Sequence, residues 1–266
     1  AANTAGTITG LETKAVSVDN TATAADVNTI AGLTSGVLTA TIDPTTVITD
    51  ATVIALGNVS LTDVITLNST VTTADATALN DINALTTTGT KTFANVGTIT
   101  EAFDTASLTT EISNALTVVP NAAVTITGGS ILAADANTIA NQTTAAVSAT
   151  ITAATAAVLA GALVNASAND TLTLTVNNDS SATLASNLTS LDTKTSLNID
   201  ATSVTSVSGT SAEVYTLTTA DISMASNYAS ELTGTSSLTD TNAVLLDTTG
   251  IVTATTGTNR SEEHTS

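Results

Sequence analysis

Residues 23–42 read TAADVNTIAGLTSGVLTATI, and they return, altered but legible, as AADANTIANQTTAAVSATI over residues 133–151. The first half of each stretch spaces its apolar residues three or four apart, as in Val27, Ile30 and Leu33, which is the period of a helix with one buried face. The second half is a short β-branched run, Val37-Leu-Thr-Ala-Thr-Ile42, which is the composition of a buried strand. The theme is therefore one helix followed by one strand, used more than once.

Working outward, the two copies align position by position. Asp26 matches Asp135, Asn28 matches Asn137, Ile30 matches Ile139 and Ile42 matches Ile151, each pair 109 residues apart. Asp63-Val-Ile-Thr-Leu67 pairs with Asp170-Thr-Leu-Thr-Leu174 at a separation of 107. A third, shorter match equates Gly6, Ala15, Val16, Val18 and Asp19 with Gly234, Ala243, Val244, Leu246 and Asp247. These alignments divide the chain into a first long copy at 1–123, a second at 124–233 and a truncated third at 234–258. The remainder, 259–266, matches no repeat. It holds the only His and the only Arg, and it resembles translated sequencing-adaptor sequence rather than native chain.

Within the first copy, strands are expected near 16–18, 37–42, 61–67, 90–93 and 124–126, a mean spacing of about 27 residues, which suits strand-plus-helix solenoid coils. The second copy adds 147–151, 171–176, 195–199 and 204–207. Helices are expected where the period lengthens: at Leu79, Ile82 and Leu85; at Leu184, Leu188 and Leu191; and at Ala225, Tyr228, Ala229 and Leu232. Thr23/Asp26, Thr72/Asp75 and Thr218/Asp221 carry the hydroxyl and the acid three residues on that open a helix. A short Thr-rich helix is not stable alone, and one strand cannot bury its face alone, so units of this kind gain stability by stacking on the next. The expected fold is an α/β repeat solenoid with a parallel sheet. The alternative is an all-β parallel β-helix, which the Thr content favours and the helical spacings and caps oppose.

Composition narrows the function classes. Twenty-three acidic against four basic residues give a net charge of −19. A surface that binds phosphates needs clustered Lys and Arg, so nucleic acid is excluded as a partner, and an anionic membrane surface would repel the chain. The longest apolar run, 156–164, is far short of the ~20 residues of a membrane span. There is no Cys or Trp, aromatics are 2%, and roughly a quarter of the chain is Thr, so the core is built from small aliphatics. The sole His lies in the odd tail, which leaves no base beside a nucleophile. No Walker, dinucleotide-binding or metallohydrolase motif occurs. The expectation is no catalysis and no catalytic or cofactor-binding residue. The chain starts on Ala without a leader pattern and reads as an internal piece of a longer one.

Two surface features invite a binding role. Asp19, Asp43, Asp179, Asp200 and Asp247 follow or sit near apolar strand ends, where stacked oxygens could hold Ca²⁺; Asx turns and helix caps account for the same residues without a metal. Thr-x-Thr pairs such as Thr39/Thr41, Thr125/Thr127 and Thr171/Thr173 could form a flat hydroxyl array of the ice-binding type, and so much Thr also produces such pairs by composition.

The pairing of A-D-x-N-T-I with a following G-V-x-T-A-T-I resembles the long Ala/Thr-rich β-strand-repeat proteins of cyanobacteria and other aquatic bacteria, over most of residues 1–256. That resemblance implies a very large exported or cell-surface protein with a structural or adhesive role, whose partners are neighbouring repeats of the same chain and an unspecified surface or glycan. It identifies no functional residue. The competing expectations are a surface-layer subunit that assembles with Ca²⁺ and an ice- or glycan-binding solenoid.

Overall fold

Short strands and short helices alternate along a computed structural model that describes residues 11–85, 88–104 and 106–254. The chain is mixed α/β, its strands pair in parallel throughout, and no sheet among the described residues closes into a barrel. It divides into two units, Ala1–Gly128 with Gln142–Ala145, and Gly129–Asn141 with Ala146–Ser266.

The first unit runs β1 (Val16–Ala22), α1 (Ala24–Ala31), β2 (Leu38–Ile42), α2 (Asp50–Ile54), β3 (Val64–Asn68), β4 (Thr73–Asp75), α3 (Ala76–Ala84), β5 (Lys91–Thr92), β6 (Thr98–Ala102) and α4 (Leu108–Val118), and reaches β7 (Ala123–Ile131). The ladder β1-β2-β3-β5 lies beside a second one in which β4 pairs β6 and β6 pairs β7. The second unit runs α5 (Ala133–Ala140), β8 (Val147–Ile151), β9 (Ala154–Thr155), α6 (Ala156–Ala162), β10 (Thr171–Thr173), β11 (Val176–Asn177), β12 (Thr183–Leu184), α7 (Ala185–Asp192), β13 (Ile199–Ala201), β14 (Ser206–Thr210), α8 (Ser211–Leu217), β15 (Ile222–Met224), β16 (Ala229–Thr233), α9 (Leu238–Asp247) and β17 (Val252–Ala254). Its ladders are β8-β10, β9-β11, β13-β15 and β12-β14-β16-β17.

The register of these ladders is nearly constant. Thr39 faces Val64, Thr73 faces Thr98, Ser148 faces Thr171 and Ser206 faces Ala229. Across every named pair the partners lie 20 to 25 positions apart in sequence. A parallel pair needs a crossover of about a dozen residues or more, and each of these crossovers holds one short helix, several of them with a strand of another ladder beside it in sequence.

Alternation along each strand sets the core. In β2, Leu38, Ala40 and Ile42 are buried while Thr39 is exposed, the period of two that a half-buried strand demands. Helices add Ala24, Val27 and Ala31 from α1, Leu79 and Ile82 from α3, and Leu188 and Leu191 from α7. Three glycines mark places where a turn presses on backbone 22 or 24 residues earlier. A Cβ on Gly36 would overlap the carbonyl of Lys14, one on Gly89 that of Ile65, and one on Gly250 that of Tyr228.

Several local expectations are corrected. Only Val27 of the face Val27, Ile30 and Leu33 is buried; Ala24 and Ala31 complete the real one, and Leu33 is exposed. Thr23 does cap α1, accepting from the Asp26 amide at 3.1 Å. Thr72/Asp75 is not a box: Asp75 itself caps α3, accepting from the Ala78 amide at 2.9 Å. Thr218 ends α8 rather than opening a helix, and Asp221 precedes β15. The helical period at Ala225–Leu232 belongs to a turn followed by β16; Tyr228 and Leu232 are both buried there. The strand expected at 195–199 begins only at Ile199. Residues 243–247, aligned with strand-forming 15–19, lie in α9. The unusual tail 259–266 lies outside the described residues.

Candidate functional site

Several side-chain hydrogen bonds that reach across 20 or more residues of sequence sit at strand starts and in the loops beside them. At the head of β2 the Leu38 amide donates to Asp63 Oδ1 at 2.8 Å, while Asp63 Oδ2 accepts from the Ser60 amide at 2.7 Å. Asp170 repeats this: Oδ1 accepts from the Val147 amide at 2.7 Å and Oδ2 from the Ser167 amide at 2.8 Å. Both carboxylates are buried, and a buried carboxylate persists only with such partners. Thr195 takes the same place one turn later, accepting from the Leu172 amide at 3.0 Å.

A second device joins the loops. The hydroxyls of Thr34, Thr143, Thr195 and Thr248 donate to the carbonyls of Lys14, Ala122, Leu172 and Tyr228 at 2.6 to 2.8 Å. Each also accepts from the amide two residues on. The residue after each, Ser35, Thr144, Ser196 or Thr249, also donates to a residue 23 to 26 positions back. A third device works from the helices: Asn28 Oδ1 accepts from the Asn58 amide at 2.6 Å and Asn137 Oδ1 from the Asn165 amide at 2.7 Å. The sequence comparison matched Asn28 with Asn137 and Asp63 with Asp170 but missed their role. Each acid closes a Ser-x-x-Asp run immediately before a strand (Ser60 to Asp63, Ser167 to Asp170), and that is the signal that could have found them.

The aspartates considered for Ca²⁺ are dispersed. Asp19 is exposed in β1. Asp43 and Asp200 form Asx turns, each Oδ1 accepting from the amide and hydroxyl of the threonine two residues on, Thr45 or Thr202. Those bonds, the hydroxyl's first, hold both carboxyls below the usual carboxylate range. Asp179 lies in the loop after β11, and Asp247 Oδ2 accepts from the Tyr228 hydroxyl at 2.8 Å. Among the described residues no three His, Cys, Asp or Glu side chains converge as a metal site would require.

One pair of acids does stand together. Glu101, at the end of β6, is buried; its Oε2 accepts from the amide and hydroxyl of Thr77 at 3.1 and 3.2 Å, and its Oε1 from the Ala102 amide. Asp75 caps the same helix, α3. Burial pushes both carboxyls up, and for Glu101 repulsion from Asp75 adds to it. Both groups are occupied in holding the start of α3.

Threonine ranks cross the strands in register: Thr21 beside Thr41 and Thr41 beside Thr66, Thr73 beside Thr98, Thr100 beside Thr125, and Thr150 beside Thr173. Of the hydroxyls in these rows, that of Thr100 donates to the Ala74 carbonyl on the neighbouring strand. The clefts are small and open; one of about 240 Å³ lies against Met224, Tyr228 and Asp247. No helix among the described residues is long and apolar enough to cross a membrane. No protein-family model, no curated protein and no solved structure matches the chain.

Proposed function

We propose that this chain is a structural, adhesive solenoid segment of a very large bacterial cell-surface or secreted protein, and that it extends and presents rather than catalyses. Its strand-plus-helix coils stack by adding one strand to each ladder per turn. The observation that carries this reading is the constant register, 20 to 25 positions between paired residues in every ladder. The clips fall on nearly the same interval, so each turn is fastened to the one before it. Stability in such an array is a sum over nearest neighbours, and the acidic charge keeps a long array from clumping. Export and a surface or glycan partner follow from the repeat-family resemblance and belong to the same proposal.

Small-angle scattering on the whole chain tests the stacking. The expected pair-distance distribution is skewed, with a long tail; a symmetric distribution typical of a sphere refutes it. A second reading, an ice- or glycan-facing surface, draws support from the in-register threonine ranks. Thermal hysteresis or a glycan-array signal would favour it, and silence in both would dismiss it.

A further inference from the structure

The loop between β2 and α2 holds the one Asp–Pro bond of the sequence, Asp43–Pro44; the other proline, Pro120, follows Val119. Such a bond carries its own nucleophile, since the aspartate carboxylate can close a small anhydride ring on its own backbone carbonyl carbon. Its leaving group is also unusual, a tertiary amide nitrogen without a hydrogen. The loop holds these groups in place. Asp43 Oδ1 accepts from the Thr45 hydroxyl at 2.7 Å and the Thr45 amide at 2.9 Å, and Oδ2 has no hydrogen-bond partner among the described residues. The carbonyl oxygen of Asp43 accepts from the Thr46 amide at 3.0 Å, closing a β-turn with proline at its second position. That donor stands where negative charge gathers when the carbonyl is attacked. Asp43 and Pro44 are both half-buried, so water reaches the bond.

Each side of the bond is tied to a different neighbour. The Asp43 amide donates to the Ala22 carbonyl at the end of β1 at 2.9 Å, and the Pro44 carbonyl accepts from the amide and hydroxyl of Thr70, beyond β3, at 2.9 and 3.1 Å. Asp200 gives a comparison within the same chain. Its Oδ1 accepts from the amide and hydroxyl of Thr202 in the same way, but the residue after it is Ala201, whose nitrogen is an ordinary secondary amide and a poorer leaving group.

We propose that Asp43–Pro44 is a self-cleavage site, where the Asp43 carboxylate attacks its own backbone carbonyl carbon in mild acid and parts the chain between β2 and α2. Oδ2 forms the new C–O bond, the C–N bond to Pro44 breaks, and the nitrogen leaves with a proton drawn from the acidic solvent. Water then opens the aspartyl anhydride, so the sum is hydrolysis of one peptide bond, with water as the only co-reactant. Each chain does this once, which makes it a single event and not turnover. Thr45, through its hydroxyl first and its amide second, holds the Asp43 carboxyl below the usual carboxylate range. The ionised nucleophile therefore persists in acid that protonates the departing nitrogen. The charged groups on the elements beside the loop are Asp19 of β1, Asp26 of α1 and Asp50 of α2, while β3 has none; none of the three is among the causes of that shift.

Mass spectrometry of the chain over time reads the result, at the most acid pH that leaves its circular dichroism spectrum unchanged and against the same chain in urea at that pH. The expected products end at Asp43 and begin at Pro44, and they form about tenfold or more faster from the folded chain, because the turn fixes the reacting groups. Thr45 acts as a positioning residue. Thr45→Ala should slow cleavage of the folded chain about tenfold and leave the rate in urea alone, and Thr45→Ser should restore it. Pro44→Ala should stop cleavage, while Asp200–Ala201 and Val119–Pro120 stay intact. Cleavage as fast in urea as in the folded chain overturns the proposal, since the loop then adds nothing to the ordinary lability of an Asp–Pro bond. A folded chain that stays whole overturns it too, as does a Thr45→Ala chain that parts at the original rate.

Discussion

Asp63→Ala is the sharpest test of how successive turns are held. The substitution removes the acceptor of two amides, Leu38 at 2.8 Å and Ser60 at 2.7 Å, the first of them buried. A hydrogen bond to a charged group contributes about 1.5–3 kcal/mol, most of it expressed as the penalty of leaving the partner unsatisfied. Two such bonds give a loss of about 3–6 kcal/mol, a large part of the ~5–15 kcal/mol that holds an ordinary domain. Asp63→Asn keeps one carbonyl oxygen and presents an amide group to the second N–H, so it should lose about half as much. Asp170→Ala, which removes the acceptor of the corresponding Val147 and Ser167 amides, should match Asp63→Ala. Urea denaturation gives the totals, and amide hydrogen exchange locates them: protection should fall first at Leu38 and Ser60, or at Val147 and Ser167. A loss under about 0.5 kcal/mol, or exchange that rises evenly along the chain, would refute the claim that these carboxylates fasten one turn to the next.

Thr183→Val should stabilise the chain by about 1 kcal/mol in urea melts, because the Thr183 hydroxyl is buried without a hydrogen-bond partner and an unpaired buried donor is costly; destabilisation would mean that the hydroxyl has a partner. Gly36→Ala should destabilise by about 1–3 kcal/mol through overlap with the Lys14 backbone, whereas Gly161→Ala, in α6 with open space around it, should stabilise by about 0.5–1 kcal/mol; a reversed order would contradict the close approach at Gly36. Melting temperature should peak in weakly acidic buffer. The raised carboxyls of Asp75 and Glu101 give stability that is full below the ordinary carboxylate range near pH 4 and lost as pH climbs through their folded values. The depressed carboxyls of Asp43, Asp104, Asp200 and Glu213 act oppositely, their contribution disappearing as pH falls below that range. A melting temperature rising steadily from pH 4.5 to 8 would contradict the Asp75–Glu101 arrangement.

Strands with clean alternation were legible in the sequence: 37–42 and 147–151 emerged as β2 and β8 almost to the residue. Thr23 announced its cap because hydroxyl, acid and spacing all agreed. Elsewhere the alphabet was too small. With Ala, Thr and Ser at most positions, Tyr228, Ala229 and Leu232 satisfy a helical period by chance while the chain makes a turn and a strand. β4 and β6 went unnoticed because they consist largely of Thr and Ala, which mark neither face. The capping box at Thr210/Glu213 and the cap at Ser237 carry the same signature as the false one at Thr218/Asp221; what separates them is whether an apolar face follows that can be buried. The clips were visible as matched residues and opaque as to role, since which amide each carboxylate faces depends on a partner 23 or 25 residues away that only the fold brings close.

The fixed interval between facing residues also sets how the chain would yield under load. Peeling one strand from its ladder releases the 20 to 25 residues up to its neighbour, roughly 70–85 Å of slack at ~3.4 Å each. If the chain is the surface segment proposed above, it would lengthen in many small instalments and dissipate work at every one.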